Sequence, residues 1–285
     1  MASVRQIARR IRSVENTAKI TKAMSMIAAS KLRRSQDAAT QGRSYAENMA
    51  AIVSNVVFQV DDEESRQPLL ESRSIKTTGI AIIAPDRGLT GGLKANILRS
   101  VSDFIKSQSA PVKVVAVGKK SLDFARRNNL EIIAEYTGIS DRPSPGDTLP
   151  IAGAITEAFS NEIVDSFHLI YAQFVNTTLQ RPVIEPLLPV IPSGVATNTV
   201  GYIFEPNAAE VLGRLLPRYV ETLVHHAVLE GNASEQSARM VAMNQATDNA
   251  NEMVEDLTLL MNKLRQEKIT TELLDIVGGV AALES

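Results

Sequence analysis

Residues 1–60 repeat an apolar or small side chain at alternating steps of three and four. That spacing puts the repeating side chains on one face of an α-helix, and a mean step near 3.5 residues indicates a coiled-coil seam with a left-handed supercoil. The members of this N-terminal seam are Val4, Ile7, Ile11, Val14, Ala18, Thr21, Ser25, Ala28, Leu32, Ala39, Ala46, Met49, Val53 and Val56. The acidic cluster Asp61–Glu64 ends the pattern. The sequence therefore predicts one long helix over residues 1–60.

Residues 206–285 carry a second seam, which begins near Pro206, a residue suited to the first turn of a helix. The members of this C-terminal seam are Leu212, Leu216, Val220, Val224, Val228, Val241, Leu257, Leu260, Leu264, Leu273 and Ile276. Between Gly231 and Asn251 the seam thins into Ser, Asn, Gln, Ala and Met. A dry two-helix contact favours more aliphatic bulk, so this stretch is interpreted either as strained or as facing another protein.

Proline marks off the middle of the chain, because all twelve prolines lie between Pro68 and Pro217. Proline removes a backbone donor and clashes inside a helix, so its absence from both flanks permits long unbroken helices. A helix of 55 to 75 residues would be roughly 80 to 110 Å long. A compact domain does not need that length. The two flanks are therefore interpreted as a rod attached to a globular middle.

The middle alternates short apolar runs with helical patterns, which predicts a mostly parallel sheet with helices on its faces. The predicted strands cover 78–84, 112–118, 130–136 and 167–175, and the predicted helices cover 95–107, 119–128 and 151–164. The prolines of 182–192 indicate an edge strand and an exit segment. The fold class is thus α/β, with a middle domain over 61–205 between helices over 1–60 and 206–285.

Charge makes the two flanks complementary. Residues 1–60 contain ten basic and three acidic side chains, whereas residues 205–285 contain six basic and thirteen acidic side chains. Opposite charges attract if the helices lie side by side, so the flanks are predicted to be partners.

Composition excludes several classes of site and of sorting signal. The chain has no cysteine and only three histidines, so no disulfide or thiolate metal site is expected and no metal site is predicted. No apolar run has the ~20 residues that span a bilayer, and no apolar stretch follows the basic N-terminus as in a secretory signal. The basic residues of 1–34 also suit a mitochondrial transit peptide, but the seam runs on unbroken from Val4. A cytoplasmic or cytoplasm-facing location is predicted.

Two candidate chemistries compete with a purely mechanical interpretation. The glycine-rich segment Asp86–Lys94 lies after the first predicted strand, where a phosphate loop would be, although its spacing matches neither standard nucleotide motif. A nucleotide-binding α/β enzyme with a coiled-coil arm therefore stays as an alternative. The basic residues Lys19, Lys22, Lys31, Arg33 and Arg34 could hold nucleic acid through its phosphates, which is a second alternative. No catalytic grouping is found, and no cofactor is predicted.

Several longer motifs resemble one family, the γ subunits of F-type ATP synthases. Ser13–Arg33 resembles the first helix of that family, and Asp86–Gly92 resembles its glycine turn, with Thr90 where many members carry cysteine. The remaining matches are to its C-terminal helix, namely Ser234–Met243, Thr247–Ala250, Ile269–Glu272 and Ile276–Gly279. The resemblance covers both flanks and the middle in the family's order.

The resemblance implies a central rotor shaft that has no catalytic site of its own. Its terminal helices would form an antiparallel coiled coil inside a hexamer of alternating α and β subunits. Its Rossmann-like middle domain would lie at the base, beside the ε subunit and the membrane ring of c subunits. The shaft would couple proton flow to ATP synthesis at the cytoplasmic face of the cell membrane. The thin stretch of the C-terminal seam would then face the surrounding subunits.

The resemblance also implies roles for individual residues. Arg239, Gln266, Thr270 and Glu272 match positions that hydrogen-bond the catch loops of the β subunits. Met24, Lys19 and Lys22 match the region that faces the acidic lever of β, and Tyr202 and Glu205 match the foot that meets the c ring. No cysteine-bearing insertion interrupts the middle domain, so light-driven redox regulation is not expected. The lack of a recognisable transit peptide favours a bacterial protein.

Overall fold

The computed structural model describes residues 3–59, 67–191, 205 and 207–283. Five helices and five strands follow one another in these residues, with a 3₁₀ turn at Pro68–Leu70 after the first helix. In chain order they are α1 (Val4–Gln59), β1 (Thr78–Ile83), α2 (Leu93–Ser107), β2 (Val112–Val117), α3 (Lys119–Arg127), β3 (Glu131–Tyr136), α4 (Pro145–Ser160), β4 (Ser166–Phe174), β5 (Gln180–Leu188) and α5 (Ala208–Leu283).

The five strands form one mixed sheet in the order β3-β2-β1-β4-β5. Neighbours from β3 to β4 are parallel, and β5 runs antiparallel to β4 at the edge. Pro182 and Pro186 lie in this edge strand, where a missing backbone donor costs least. The predicted α/β class, with its mostly parallel sheet and proline-containing edge strand, is confirmed.

Successive residues of the central strands pack into different cores, as expected for side chains that alternate across a sheet. Ile80 and Ile82 of β1 pack with the apolar sides of α2 and α3. Ala81 and Ile83 pack instead with α4 and with α5 residues between Leu212 and Val228. Both faces of the sheet are therefore covered, which explains why β1 is buried along its whole length.

The predicted start of one helix is wrong. Helix α4 begins at Pro145 rather than at residue 151, and Pro150 lies inside it. Ser144 and Asp147 form a capping box, which satisfies two backbone donors at the N-terminus and starts the helix earlier than the apolar pattern does. Helix α5 likewise contains Pro217, one turn after Gly213. Glycine at that position has no side chain to add to the crowding caused by the proline ring.

The chain divides into two compact units, and both long helices contribute to each. The first unit comprises the described parts of Met1–Ile27 and Met240–Ser285. Within it α1 and α5 pack antiparallel: Ile7 and Ile11 cluster with Leu257, and the hydroxyls of Thr21 and Thr247 are 2.7 Å apart. The second unit, Ala28–Arg239, contains the sheet and the remaining turns of both helices.

The N-terminal seam is confirmed, since most of its members from Ile7 to Val56 are buried. The C-terminal seam is wrong near its end, where Leu260, Leu273 and Ile276 are 43%, 57% and 63% exposed. Met261 packs in place of Leu260, because a step of four follows the step of three from Val254 to Leu257. The antiparallel pairing of Thr21 with Thr247 brings Val4, the first residue of α1, opposite the region of Leu264. The later apolar residues of α5 therefore have no α1 beside them.

Gly118 connects β2 to α3 and allows a test of this packing. Its φ is +94°, and an added Cβ would lie 1.9 Å from the carbonyl oxygen of Ala84. We expect Gly118→Ala to lower the free energy of unfolding by about 2–4 kcal/mol, because both the backbone angle and the contact oppose a side chain. Urea unfolding of the full chain measures the change.

Gly153→Ala is the matched control. Gly153 lies within α4, and an added Cβ there meets nothing within 4 Å. This substitution should raise stability by about 0.5–1 kcal/mol through helix propensity. Equal effects of the two substitutions would show that the junction between β2 and α3 is not as tight as described.

Candidate functional site at the carboxyl edge of the sheet and on the long helices

The glycine-rich turn after β1 is held by its own aspartate. One carboxylate oxygen of Asp86 accepts a hydrogen bond from the backbone N–H of Lys119 at 2.7 Å. The other accepts from the backbone N–H of Gly138 at 2.8 Å. These two partners follow β2 and β3, so Asp86 ties together the loops at the carboxyl ends of three strands. Thr90 of the same turn is buried.

The crevice beside this turn is filled by helix α5. The crossover through α2 leads from β1 to β2, whereas β4 lies on the other side of β1, so the carboxyl ends of β1 and β4 meet at a topological switch point. The Ser234 hydroxyl donates to the Ala172 carbonyl of β4 at 2.8 Å, and an added Cβ on Gly231 would lie 3.1 Å from Ile83 of β1. A helix of the chain itself thus occupies the place where α/β folds bind nucleotides.

Helix α5 passes from one core to the other at this edge. Its residues up to Val228 belong to the core shared with α4, whereas Ala238 packs into the core shared with α2 and α3. The residues between them, 229–237, therefore cross the carboxyl edge of the sheet. We call the face of α5 formed by Glu230, Ser234 and Ser237 the junction face.

The junction face corrects an interpretation of the sequence. Ser234, Gln236 and Ser237 are at most 2% exposed, and Ser237 donates to the Thr177 carbonyl at 2.7 Å. The idea that the thin stretch faces another protein is wrong at these three positions, because the chain's own sheet and loops cover them. Further along, Asn244 and Thr247 bond Ser25 and Thr21 of α1.

The loop before α4 bridges the two long helices. Asp141 accepts from Lys31 of α1 at 2.6 Å and from Gln236 of α5 at 3.3 Å. Asn232 of α5 donates to the Ser140 carbonyl at 3.3 Å. Sequence reasoning missed this bridge, because the positions are distant along the chain and share no motif.

Arg239 is engaged by its own helix. Its guanidinium donates to Glu235 at 2.6 Å and to Gln236 at 3.2 Å, and the side chains of Arg239 and Glu235 are 11% and 16% exposed. Burial raises the pKa of Glu235, and the neighbouring Arg239 partly offsets that rise. Arg239 thus compensates a poorly hydrated carboxylate within this chain.

Gln266, Thr270 and Glu272 lie on the last part of α5, and all three are exposed. Glu272 is 3.4 Å from Lys268, in an ion pair whose side chains are both more than half exposed. The apolar residues around them are also exposed, namely Ile269, Leu273, Leu274, Ile276 and Val277. An apolar surface of this extent with polar groups among it is typical of a protein-binding region.

The other predicted residues lie on α1 and before α5. Lys19 and Lys22 are exposed, and they line a groove of about 920 Å³ together with Asp248 and Glu255. Met24 is half-buried, and Glu205 is an exposed residue in a bend. Tyr202 lies outside the described residues.

Among the described residues no three His, Asp or Glu side chains are grouped as a metal site would require. The described helices include none that is long and apolar enough to cross a membrane.

Comparisons with known proteins agree over the whole chain. A family model described as ATP synthase matches residues 3–283. The ATP synthase gamma chain of Dehalococcoides mccartyi is 50% identical over 284 residues, which cover 99% of this chain and 100% of that protein. The gamma chain of Chloroflexus aurantiacus is 45% identical over 290 residues, with 100% of each chain covered.

Solved structures of ATP synthases contain chains with the same fold. A chain of the central stalk and c ring of the Tetrahymena thermophila mitochondrial ATP synthase is 25% identical, with a TM-score of 0.61, and the match covers 80% of this chain and 99% of that one. A chain of the Euglena gracilis mitochondrial ATP synthase is 17% identical with a TM-score of 0.69, covering 98% and 94%, and shares the fold. On the family model and the curated relatives, this chain belongs to the ATP synthase gamma chain family.

Proposed function

We propose that this chain is the central rotor shaft of a proton-transporting ATP synthase, which couples proton flow through a membrane ring to conformational change in catalytic β subunits. The observation that carries the proposal is the match over residues 3–283, together with two long helices that pack antiparallel in the chain. Its partners are the α and β subunits around the shaft, and the ε subunit and c ring at the base. It acts at the cytoplasmic face of a bacterial cell membrane and meets the membrane only through the complex.

The mechanism follows from symmetry. A single shaft presents different faces to the successive β subunits of a ring, so it cannot contact them identically. Each β subunit is then held in a different conformation, and rotation changes which conformation is favoured. A shaft shifts such an equilibrium only by the difference between its contact energies with the two states. The shaft needs no reactive group, and we propose that this chain is not itself catalytic.

The packing of α5 supports this choice over a nucleotide-binding enzyme. Gly231 and Ser234 lie against the carboxyl ends of β1 and β4, and both oxygens of Asp86 already accept hydrogen bonds from the backbone of the loops after β2 and β3. The comparisons do not favour the enzyme alternative either. The nucleic-acid alternative is weakened because Lys19 and Lys22 share their groove with Asp248 and Glu255, whose charge opposes phosphate.

The residue roles implied by the family resemblance are part of the proposal. The exposed end of α5, with Gln266, Thr270 and Glu272, suits contact with the β subunits, because its apolar and polar groups have no cover in this chain. Arg239 is proposed for the same contact. We assign Met24, Lys19 and Lys22 to the sleeve of α and β subunits, and Tyr202 and Glu205 to the foot on the c ring. The segment 61–205 is proposed as the base domain.

Assembly is the first measurement. Co-purification of the tagged chain from a bacterial host should recover α, β and ε subunits in constant ratio. Labelled ATP should not bind the isolated chain at equilibrium. Saturable ATP binding without recovered subunits would favour the enzyme alternative.

Glu272→Lys tests the proposed contact with the β subunits. A carboxylate that gains a charged hydrogen-bond partner on assembly contributes about 1.5–3 kcal/mol, so we expect coupled ATP synthesis to fall about tenfold in the reconstituted complex. The stability of the isolated chain should change by less than about 1 kcal/mol, because the pair with Lys268 is exposed.

Glu267→Lys is the control for Glu272→Lys. Glu267 is also exposed on α5, and the charge change is the same, but the five-residue offset places it on a different face of the helix. Equal loss of synthesis in the two variants would remove Glu272 from the contact.

Arg239→Gln separates a local role of Arg239 from a role in assembly. The substitution leaves Glu235 poorly hydrated without its cation, so we expect the pKa of Glu235 to rise further and the isolated chain to lose about 1–2 kcal/mol at pH 8. A raised carboxyl pKa favours the protonated form in the folded state, so this loss should grow as pH rises above the ordinary glutamate pKa of about 4.3.

Urea unfolding at pH 5 and pH 8 measures the pH dependence for Arg239→Gln. The double variant Arg239→Gln with Glu235→Gln should recover most of the stability lost at pH 8. A loss that is the same at both pH values would contradict the pairing. Any defect in coupling that remains in the double variant is assigned to contacts with other subunits.

A further inference from the structure

The junction face of α5 is bonded to the sheet by directional contacts at successive turns. Glu230, Ser234 and Ser237 are separated by steps of four and three, so they lie on one side of the helix. Glu230 accepts from the backbone N–H of Phe174 at 2.8 Å. Ser234 and Ser237 donate to the carbonyls of Ala172 and Thr177 at 2.8 and 2.7 Å. All three side chains are fully buried at 0% exposure.

Helix α1 joins the same set of contacts through one arginine. The second oxygen of the Glu230 carboxylate accepts from Arg43 at 2.6 Å. His226 is 3.7 Å from the same oxygen, but burial lowers the pKa of His226 and favours its neutral form. Arg43 is therefore the cation that compensates Glu230, and one buried carboxylate links α1, α5 and β4.

Apolar packing alone would not fix the angle of α5 about its own axis. Hydrophobic contact is non-directional, so a rotation small enough to keep the same side chains buried costs it little. Hydrogen bonds weaken steeply as their angle falls, and a buried carboxylate that loses its partners is strongly disfavoured. A rotation of α5 against β4 and the loop after it would weaken the bonds of Glu230, Ser234 and Ser237 together.

We propose that the junction face and Arg43 form a torque clamp. The clamp keeps α1 and α5 from rotating relative to the sheet when torque acts on the helices in one direction and on the sheet in the other. Glu230 is the positioning residue of this clamp, Ser234 adds a second bond to β4, and Ser237 adds a third to the loop that follows β4. The proposal rests on the rotor function, because only a chain that transmits torque is loaded in this way. The clamp lies in the sheet-containing unit, and its residues are not among those proposed to contact the β subunits.

The test compares coupling with and without load. Complexes containing Glu230→Gln, or Ser234→Ala with Ser237→Ala, are reconstituted into phospholipid vesicles. ATP hydrolysis and proton pumping are measured together, first with the proton gradient dissipated and then against gradients of increasing size. Glu252→Gln and Ser44→Ala are the controls, since both residues are exposed on the same two helices.

We expect hydrolysis by the clamp variants to match the controls when no gradient opposes rotation. Under the largest gradient, protons pumped per ATP should fall by about fivefold. The reason is that one lost hydrogen bond changes the ratio of clamped to unclamped chains by about that factor. A general loss of stability would lower the yield of complex or the rate at every gradient, without this dependence on load.

The remaining outcomes also decide the question. If assembled clamp variants pump the same number of protons per ATP as the controls at every gradient, the clamp is refuted and the rotor function stands. If the unmodified chain does not assemble into a pumping complex, the rotor function itself fails. Should Glu230→Gln not assemble, the serine double variant decides, since it removes no charge.

Discussion

A single buried carboxylate constrains the way in which the long helices meet the sheet. Glu230 has no exposed surface, and both of its oxygens have partners, one on β4 and one on α1. A charge that has left water is tolerated only when its partners are in place, so the rotation of α5 at this point is fixed. That rotation in turn sets which residues enter the crevice, and therefore places Ser234 and Ser237 against the ends of β4 and the following loop.

Around residues 18–25, the contact between α1 and α5 depends on small and polar side chains rather than on large aliphatic ones. Ala18, Thr21 and Ser25 are buried in the seam, where a coiled coil would ordinarily carry larger aliphatic residues. Small side chains let two backbones approach closely but bury little apolar area. The hydroxyls of Thr21 and Thr247 also meet at 2.7 Å, and each lies within hydrogen-bonding distance of a carbonyl of its own helix, so burial leaves neither hydroxyl without a partner. Small side chains thus allow the close approach, and the polar groups among them are satisfied within the pair of helices.

The sequence predicted features that depend on local periodicity and missed those that depend on tertiary partners. The strands, the long helices and the N-terminal seam follow from the spacing of apolar residues alone, because that spacing can be read within any short stretch of the sequence. The predicted seam includes Leu260, whereas the structure packs Met261 with Leu257, because the residues of α1 that decide which side is buried are distant in sequence. Glu230 and Asp141 gave no signal, since Arg43, Phe174 and Lys31 are far away in sequence. Polar residues at seam positions between Gly231 and Asn251 were the available clue, and they indicate buried hydrogen bonds within the chain as readily as a partner protein.

The crevice at the carboxyl edge explains why a nucleotide-type sheet can hold a helix. At the end of β4, some backbone N–H and C=O groups have no hydrogen-bond partner on a neighbouring strand. Buried backbone groups of this kind need another partner. In nucleotide-binding domains a ligand and ordered water lie at this edge. Here Ser234 bonds the Ala172 carbonyl and Glu230 bonds the Phe174 N–H, so side chains of α5 satisfy the same edge permanently. A ligand would have to displace a helix that is joined to two cores and to α1. Other α/β proteins bind an exchangeable ligand at this edge. In this chain the same edge holds helix α5 in a fixed position, as a chain that transmits force requires.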